Sequence, residues 1–227
     1  MSKKVTADKD SSFFWNSASE YLNNELPNIR KKSLNTVEAY RRSLNRYIDF
    51  LEEGKQVKRV DICYQDFNKS NLKDYLLFMK DCQHLSEKTC NLRLTAIRSL
   101  LAYASEESTD MTAIYVNAKM VKGLTVSGKA IEYFEDGQTK ALLKAPPVET
   151  KIGRRNQMIM VLGYDAGLRV SELIGLTLSS LHLDAEVPYV TILGKGVKYR
   201  NVPLMGKTIE HLTAYLKEFH TIQKMDM

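Results

Sequence analysis

The chain has 227 residues, 44% hydrophobic and 26% charged, with a formal charge of +6, a composition that excludes a disordered chain and allows one large core or two small ones. The N-terminus, "MSKKVTADKDSS", carries no apolar leader, and no apolar run reaches the length of a membrane span. A cytoplasmic protein with no membrane partner is expected, with residues 1–12 a disordered tail.

A short helix near Ala18 to Leu26 comes first. "SLNTVEAYRRSLNRYIDFLEEG" then spaces Val37, Tyr40, Leu44, Tyr47, Ile48 and Leu51 along one helical stripe, with Asn35 and Glu38 as a capping-box-like start and Gly54 as the stop. Six basic residues and one acid lie between Arg30 and Arg46, and Arg42 and Arg46 project opposite the stripe, one turn apart. Such a face suits a polyanion or plain water. "SNLKDYLLFMKD" aligns Leu72, Tyr75, Leu76 and Met79. "LSEKTCNLRLTAIRSLLAYASEE", starting at Ser86, turns Cys90, Leu94, Ile97, Leu101 and Ala104 to a core and Lys88, Arg93 and Arg98 away from it. Four helices make a small bundle over residues 13–107.

Residues 108–131 lose periodicity and carry Lys119, Lys122 and Lys129, the pattern of a basic interdomain linker that either tracks a polyanion or is solvated. The second domain, 132–227, restarts with a helix from about Asp136 to Lys144, stopped by Pro146 and Pro147. Another helix ends near Gly167 and hands over to "LRVSELIGL", whose Leu168, Leu173, Ile174 and Leu176 supply a buried face. "VPYVTILGKGVKYRNVPL" changes period to two and reads as a hairpin with Lys195 at a glycine-flanked tip. A last amphipathic helix shows Ile209, Leu212, Leu216 and Phe219 on one side.

Arg169 falls in the first turn of its helix with Glu172 three residues on, either a surface ion pair or something more specific. A guanidinium at a helix mouth and an ammonium on a hairpin tip can converge on one phosphate, the first bidentately and the second as a mobile charge or proton donor. The three cysteines, Cys63, Cys82 and Cys90, have no CxxC spacing, so neither a disulfide framework nor a zinc site is suggested.

"DAGLRVSELIGLTLSSLHLDAEVPYVTILGKGVKYRNVPL" resembles the first catalytic box and following hairpin of the tyrosine recombinases, the phage integrases and Xer-type enzymes. The helices of the first half are similar to that family's core-binding domain, and "YFEDGQTKALLKA" to the opening of its catalytic domain, so the resemblance runs in order over residues 13 to 220. It implies a mainly α fold: an N-terminal four-helix, SAM-like core-binding bundle, then a partial α+β catalytic domain with a small β-sheet. It also implies a clamp around double-stranded DNA, a phosphotyrosyl intermediate, no metal or nucleotide cofactor, and a tetramer on two DNA sites, the last doubtful for this chain. By matching position Arg169 binds the scissile phosphate, Glu172 orients the site, and Lys195 is the general acid, with Lys198 as its alternative. Arg41, Arg42, Arg46, Arg93, Arg98, Lys119, Lys122, Lys198 and Arg200 are the candidate DNA contacts.

The family's second box, histidine-x-x-arginine, and its tyrosine nucleophile are not visible: none of His84, His182, His211 and His220 has arginine three residues on. The chain is therefore expected to be inactive alone, whether as a piece of a longer protein, a shortened gene product or a short form that binds without cutting. In the last case it is a non-catalytic regulator occupying recombination sites. Tyr215, Tyr199 and His182 are read as structural, and Phe13, Phe14 and Trp15 as an anchor for the first helix. An incomplete second core should leave apolar surface exposed.

Overall fold

The computed structural model describes residues 2–128, 132–194 and 198–220, with side chains from Asp10 onward. It divides into two compact units, Met1–Lys129 and Ala130–Met227.

In the first unit, α1 (Ser2–Glu20) runs into a wider-wound segment, Tyr21–Ile29, that contains Pro27 and buries Tyr21, Leu22 and Leu26. The helix thus enters the stretch expected to be a tail. Ser11 is buried and donates to the Val60 carbonyl at 2.6 Å, so part of that polar stretch is packed. A small hydroxyl fits against backbone where composition alone suggests solvent.

Helix α2 (Leu34–Lys55) starts earlier than Asn35: Ser33 is the cap, its hydroxyl accepting from the Thr36 amide at 3.3 Å. Gly54 lies inside, and the stop is Gln56 in the left-handed region at φ 57°. Helix α3 (Lys69–Leu77) continues as a wide turn to Cys82, and α4 (Glu87–Glu107) is capped by Ser86. Their apolar stripes meet in a core that includes Tyr21, Tyr47, Phe67, Leu72, Met79, Leu94 and Ile97. Two of the buried phenols are satisfied at close range: Tyr47 donates to the Asp66 carbonyl at 2.8 Å and Tyr21 to Ser99 at 2.6 Å. Burial pushes the Tyr21 hydroxyl up to about 12.

The expected linker is partly folded. Helix α5 (Thr112–Lys119) lies against α4 and contributes buried Ala118, with Val121 following. Asn91 then fastens the chain, its amide donating to the Leu124 carbonyl and accepting from the Leu124 amide, each at 2.8 Å. A Cβ at Gly123 would sit 2.6 Å from Asn91 Oδ1 and would push that amide from its place. Periodicity misses this helix because so little of it is buried.

The second unit has α6 (Asp136–Lys144), α7 (Lys151–Ala166), the one-turn α8 (Val170–Ile174), and strands β1 (Leu181–His182), β2 (Tyr189–Gly194) and β3 (Lys198–Pro203). Helix α9 (Gly206–Phe219) packs on α7. The sheet is antiparallel in the order β1-β2-β3, with Ile192 opposite Arg200 and Gly194 opposite Lys198. Its core is Met158, Leu162, Ala166, Val190, Ile192, Leu204 and Leu212. Ile174, expected inside, is 79% exposed, because a single turn cannot direct both Leu173 and its neighbour inward. The two strands expected of the hairpin pair as read; the short β1 beside them has no sequence signal of its own. No described helix is long and apolar enough to cross a membrane.

Candidate phosphate-binding site

Gly167 ends α7 at φ +57°, a left-handed turn that costs glycine nothing and redirects the chain into α8. Arg169 follows in extended conformation as the cap of α8 rather than within its first turn. Its backbone amide donates to Glu172 Oε2 at 2.8 Å and its Nη1 to Glu172 Oε1 at 2.9 Å. From β3, Arg200 reaches the same carboxylate with both forks, Nη1 to Oε1 at 2.8 Å and Nη2 to Oε2 at 2.9 Å. The Glu172 side chain is 4% exposed, Arg200 39% and Arg169 71%. The Arg200 hydrogen bonds first, then the Arg169 amide, hold the Glu172 carboxyl down to about 2, and the same contact raises Arg200. A buried carboxylate therefore stays ionised between two guanidinium groups, and one of them presents its free edge to solvent. Two cations against one anion leave a net positive charge at the mouth of α8.

Lys195, with the rest of the hairpin tip, lies outside the described residues. Lys198 is exposed at the start of β3. His182 is satisfied: its Nε2 pairs with Thr191 Oγ1 at 3.0 Å and its ring stacks on Tyr189. Tyr215 stacks on Phe219, with ring centroids 4.6 Å apart, and packs against the second core. Tyr199 is exposed on β3.

The expected DNA contacts of the helical unit separate into two kinds. Arg42 and Arg46 are exposed on α2, held only by Glu38 at 3.2 Å and Asp49 at 3.5 Å, and Arg41 pairs with Asn23 at 2.9 Å. Lys119 lies over the Tyr115 ring at 5.3 Å, and Lys122 is exposed. Arg93 is half-buried and donates to Gln83 at 3.3 Å. Arg98 is placed differently from these. Its guanidinium turns inward and donates to the Ala118 and Val121 carbonyls, closing the end of α5. Sequence spacing placed it off the apolar stripe but could not show that α5 covers that flank. Arg200 is likewise occupied, by Glu172. The signal for it was available: Arg200 is two residues from inward-packing Val202 and opposite buried Ile192, so it shares their face.

Sequence reading missed one further pair. Arg154 binds Glu218 bidentately, at 2.8 and 2.6 Å, and also donates to the Val148 carbonyl at 2.7 Å, fixing the end of α9 against the start of α7. Beside the site, Met158, Ile159, Leu162, Val170, Leu173 and Ile174 help line an open apolar groove of 540 Å³.

Residues 132–226 match the phage integrase family, and residues 19–108 match the phage integrase N-terminal SAM-like domain. The chain is 32% identical over 203 residues to the tyrosine recombinase XerD of Staphylococcus epidermidis RP62A, covering 87% of this chain and 63% of that one. It is 30% identical over 187 residues to XerD of Halalkalibacterium halodurans, covering 82% and 59%. The chain thus spans less than two thirds of the length of these curated relatives. Among solved structures it is similar to the Tn1549 transposon integrase in complex with a circular intermediate DNA, with a TM-score of 0.62, 18% identity, and coverage of 88% of this chain and 65% of that one. It is also similar to the XerH site-specific recombinase bound to palindromic difH substrate in a post-cleavage complex, with a TM-score of 0.59, 19% identity, and coverage of 83% and 54%. At these identities the structural likeness is one of fold.

Proposed function

We propose, from the premise that this chain belongs to the phage integrase family of tyrosine recombinases, that it binds duplex DNA and seats one backbone phosphate on Arg169. The observation that carries this reading is a solvent-facing guanidinium tethered by a buried, ionised carboxylate. Its free N–H groups are preorganised to meet phosphate oxygens, and that geometry favours the extra negative charge of a pentavalent phosphorus over the ground state. Lys195, or Lys198 in its place, would protonate the departing 5′-oxygen. Arg41, Arg42, Arg46, Lys119 and Lys122 supply sequence-independent phosphate contacts. The complete recombinase then breaks and rejoins strands through a phosphotyrosyl link, with the second box and nucleophile contributed by sequence that matches the rest of its relatives.

A second reading is a DNA-binding regulator that occupies recombination sites without cutting. A nicked suicide duplex separates the two. A protein–DNA adduct that survives denaturation assigns a nucleophile to this chain; binding without adduct supports the regulator or an incomplete enzyme.

A further inference from the structure

The contacts of Glu172 fill it completely. Oε1 accepts from Arg169 Nη1 and Arg200 Nη1, and Oε2 accepts from the Arg169 amide and Arg200 Nη2. Four donors occupy the four lone-pair positions of a carboxylate, so Glu172 has no capacity left for DNA. Arg200 contributes two of the four and comes from a different element, β3, facing the core side of the sheet opposite Ile192. Its head is aimed at Glu172.

We infer that Arg200 is a positioning residue for the phosphate site: by clamping Glu172 from β3 it fixes the orientation of the Arg169 guanidinium, and it is not itself a DNA contact. The inference rests on the reading of Arg169 as a phosphate ligand. Its physical basis is directional. A lone carboxylate can rotate about its last bond and meet Arg169 in several poses, whereas a two-pronged fork from across the site leaves one. Removing Arg200 also strips half the donors from a buried carboxylate, which then gains a proton more readily and loses its hold on Arg169. The same clamp ties α8 to the strand that begins at Lys198, so the hairpin and the arginine box keep one register. Lysine at 200 would restore the charge but not the fork.

The test uses the whole 227-residue chain and two readouts. The first is the side-chain guanidinium nitrogen resonances of Arg169 in the free protein, compared among wild type, R200Q, R200K and E172Q. The second is DNA affinity on a duplex enriched by the wild-type chain from a random pool, with a neutral methylphosphonate placed at each linkage in turn. In wild type one linkage should cost about tenfold when neutralised, the worth of a charged hydrogen bond, and R169A should be indifferent to that linkage. For R200Q the expectation is a folded chain whose Arg169 signals move to the position of a freely rotating arginine. Its penalty at that same linkage should fall below about twofold, with R200K intermediate.

Two outcomes overturn the inference. One is an equal loss of affinity on every duplex with the Arg169 penalty intact, which makes Arg200 a direct contact. The other is a lowered melting temperature with unchanged Arg169 signals and penalty, which makes it part of the fold only. Should R200Q fail to fold, R200K keeps the charge and removes only the fork: its Arg169 signals should still move toward the freely rotating position, and unchanged signals overturn the inference. A wild-type scan with no sensitive linkage would sink the phosphate reading alone, because the Arg169 resonances still report whether Arg200 holds it.

Discussion

Among the described residues the helical unit buries 27 apolar side chains in one cluster and the second unit only seven. The first is rich in interlocked aromatic rings: Phe14, Tyr47, Phe50, Tyr64, Phe67 and Tyr75 meet at centroid distances of 4.9 to 6.1 Å. The second leaves Val170, Ile174 and Leu178 on the surface beside its open groove. The helical unit sets exposed and half-exposed ion pairs around a large core, whereas the second unit has a small core beside a buried carboxylate, Glu172, clamped by Arg200. Buried area sets stability while directional charge sets geometry, so the two should respond to different perturbations.

The largest effect should come from emptying the first core. Phe67, fully buried between Phe14 and Tyr47, becomes a cavity in Phe67→Ala, at a cost of about 3–5 kcal/mol. Denaturant unfolding followed by hydrogen exchange should show the amides of α2 and α4 losing protection while those of β2 keep theirs. Equal loss in both units would mean that the chain unfolds as one cooperative body.

Acid should act the other way. Glu172 is held down to about 2 against an ordinary 4.5, so its contribution is full above pH 4.5 and is lost as pH falls toward 2. Glu218 is lowered in the same sense by Arg154. The unfolding midpoint of the second unit should therefore drop between pH 4.5 and 2, and E172Q should flatten that slope. An unchanged slope would show that the carboxylate titrates normally in the fold.

How much of this was legible beforehand follows from what each signal encodes. The stripes of α2, α3 and α4 could be read because long helices repeat their burial every three to four residues, and the hairpin because its alternation brackets two glycines. Helix α5 could not, since only Ala118 of it is fully buried, nor could the packing of Ser11, which depends on a carbonyl 49 residues away. At the site, Arg169 and Glu172 were visible as neighbours in sequence. Arg200 was counted with the basic residues, whereas strand parity puts it on the core side of the sheet with its head on Glu172. Arg98 too turns inward, and it supplies the next test. Arg98→Ala removes the side-chain donor to the Ala118 and Val121 carbonyls and should cost about 1–3 kcal/mol. DNA affinity measured well below the melting temperature should not change; a clear loss would return Arg98 to the binding face.

The mildest expected change is electrostatic. Arg42 and Arg46 are exposed, and each has one weak acidic neighbour, so removing both barely touches the fold. If each neutralises a phosphate, the double variant Arg42→Ala with Arg46→Ala should lower the slope of log affinity against log salt by about 1.8 and weaken binding about tenfold near physiological salt. The slope is the sharper observable, because a change in shape or stability alters affinity without altering how many counterions are released. Arg98→Ala gives the internal control: it too removes a positive charge from the same unit, yet its guanidinium is already spent on carbonyls, so the slope should stay where wild type has it. A double variant whose slope matches wild type would place these two arginines in solvent and move the DNA face elsewhere on the helical unit.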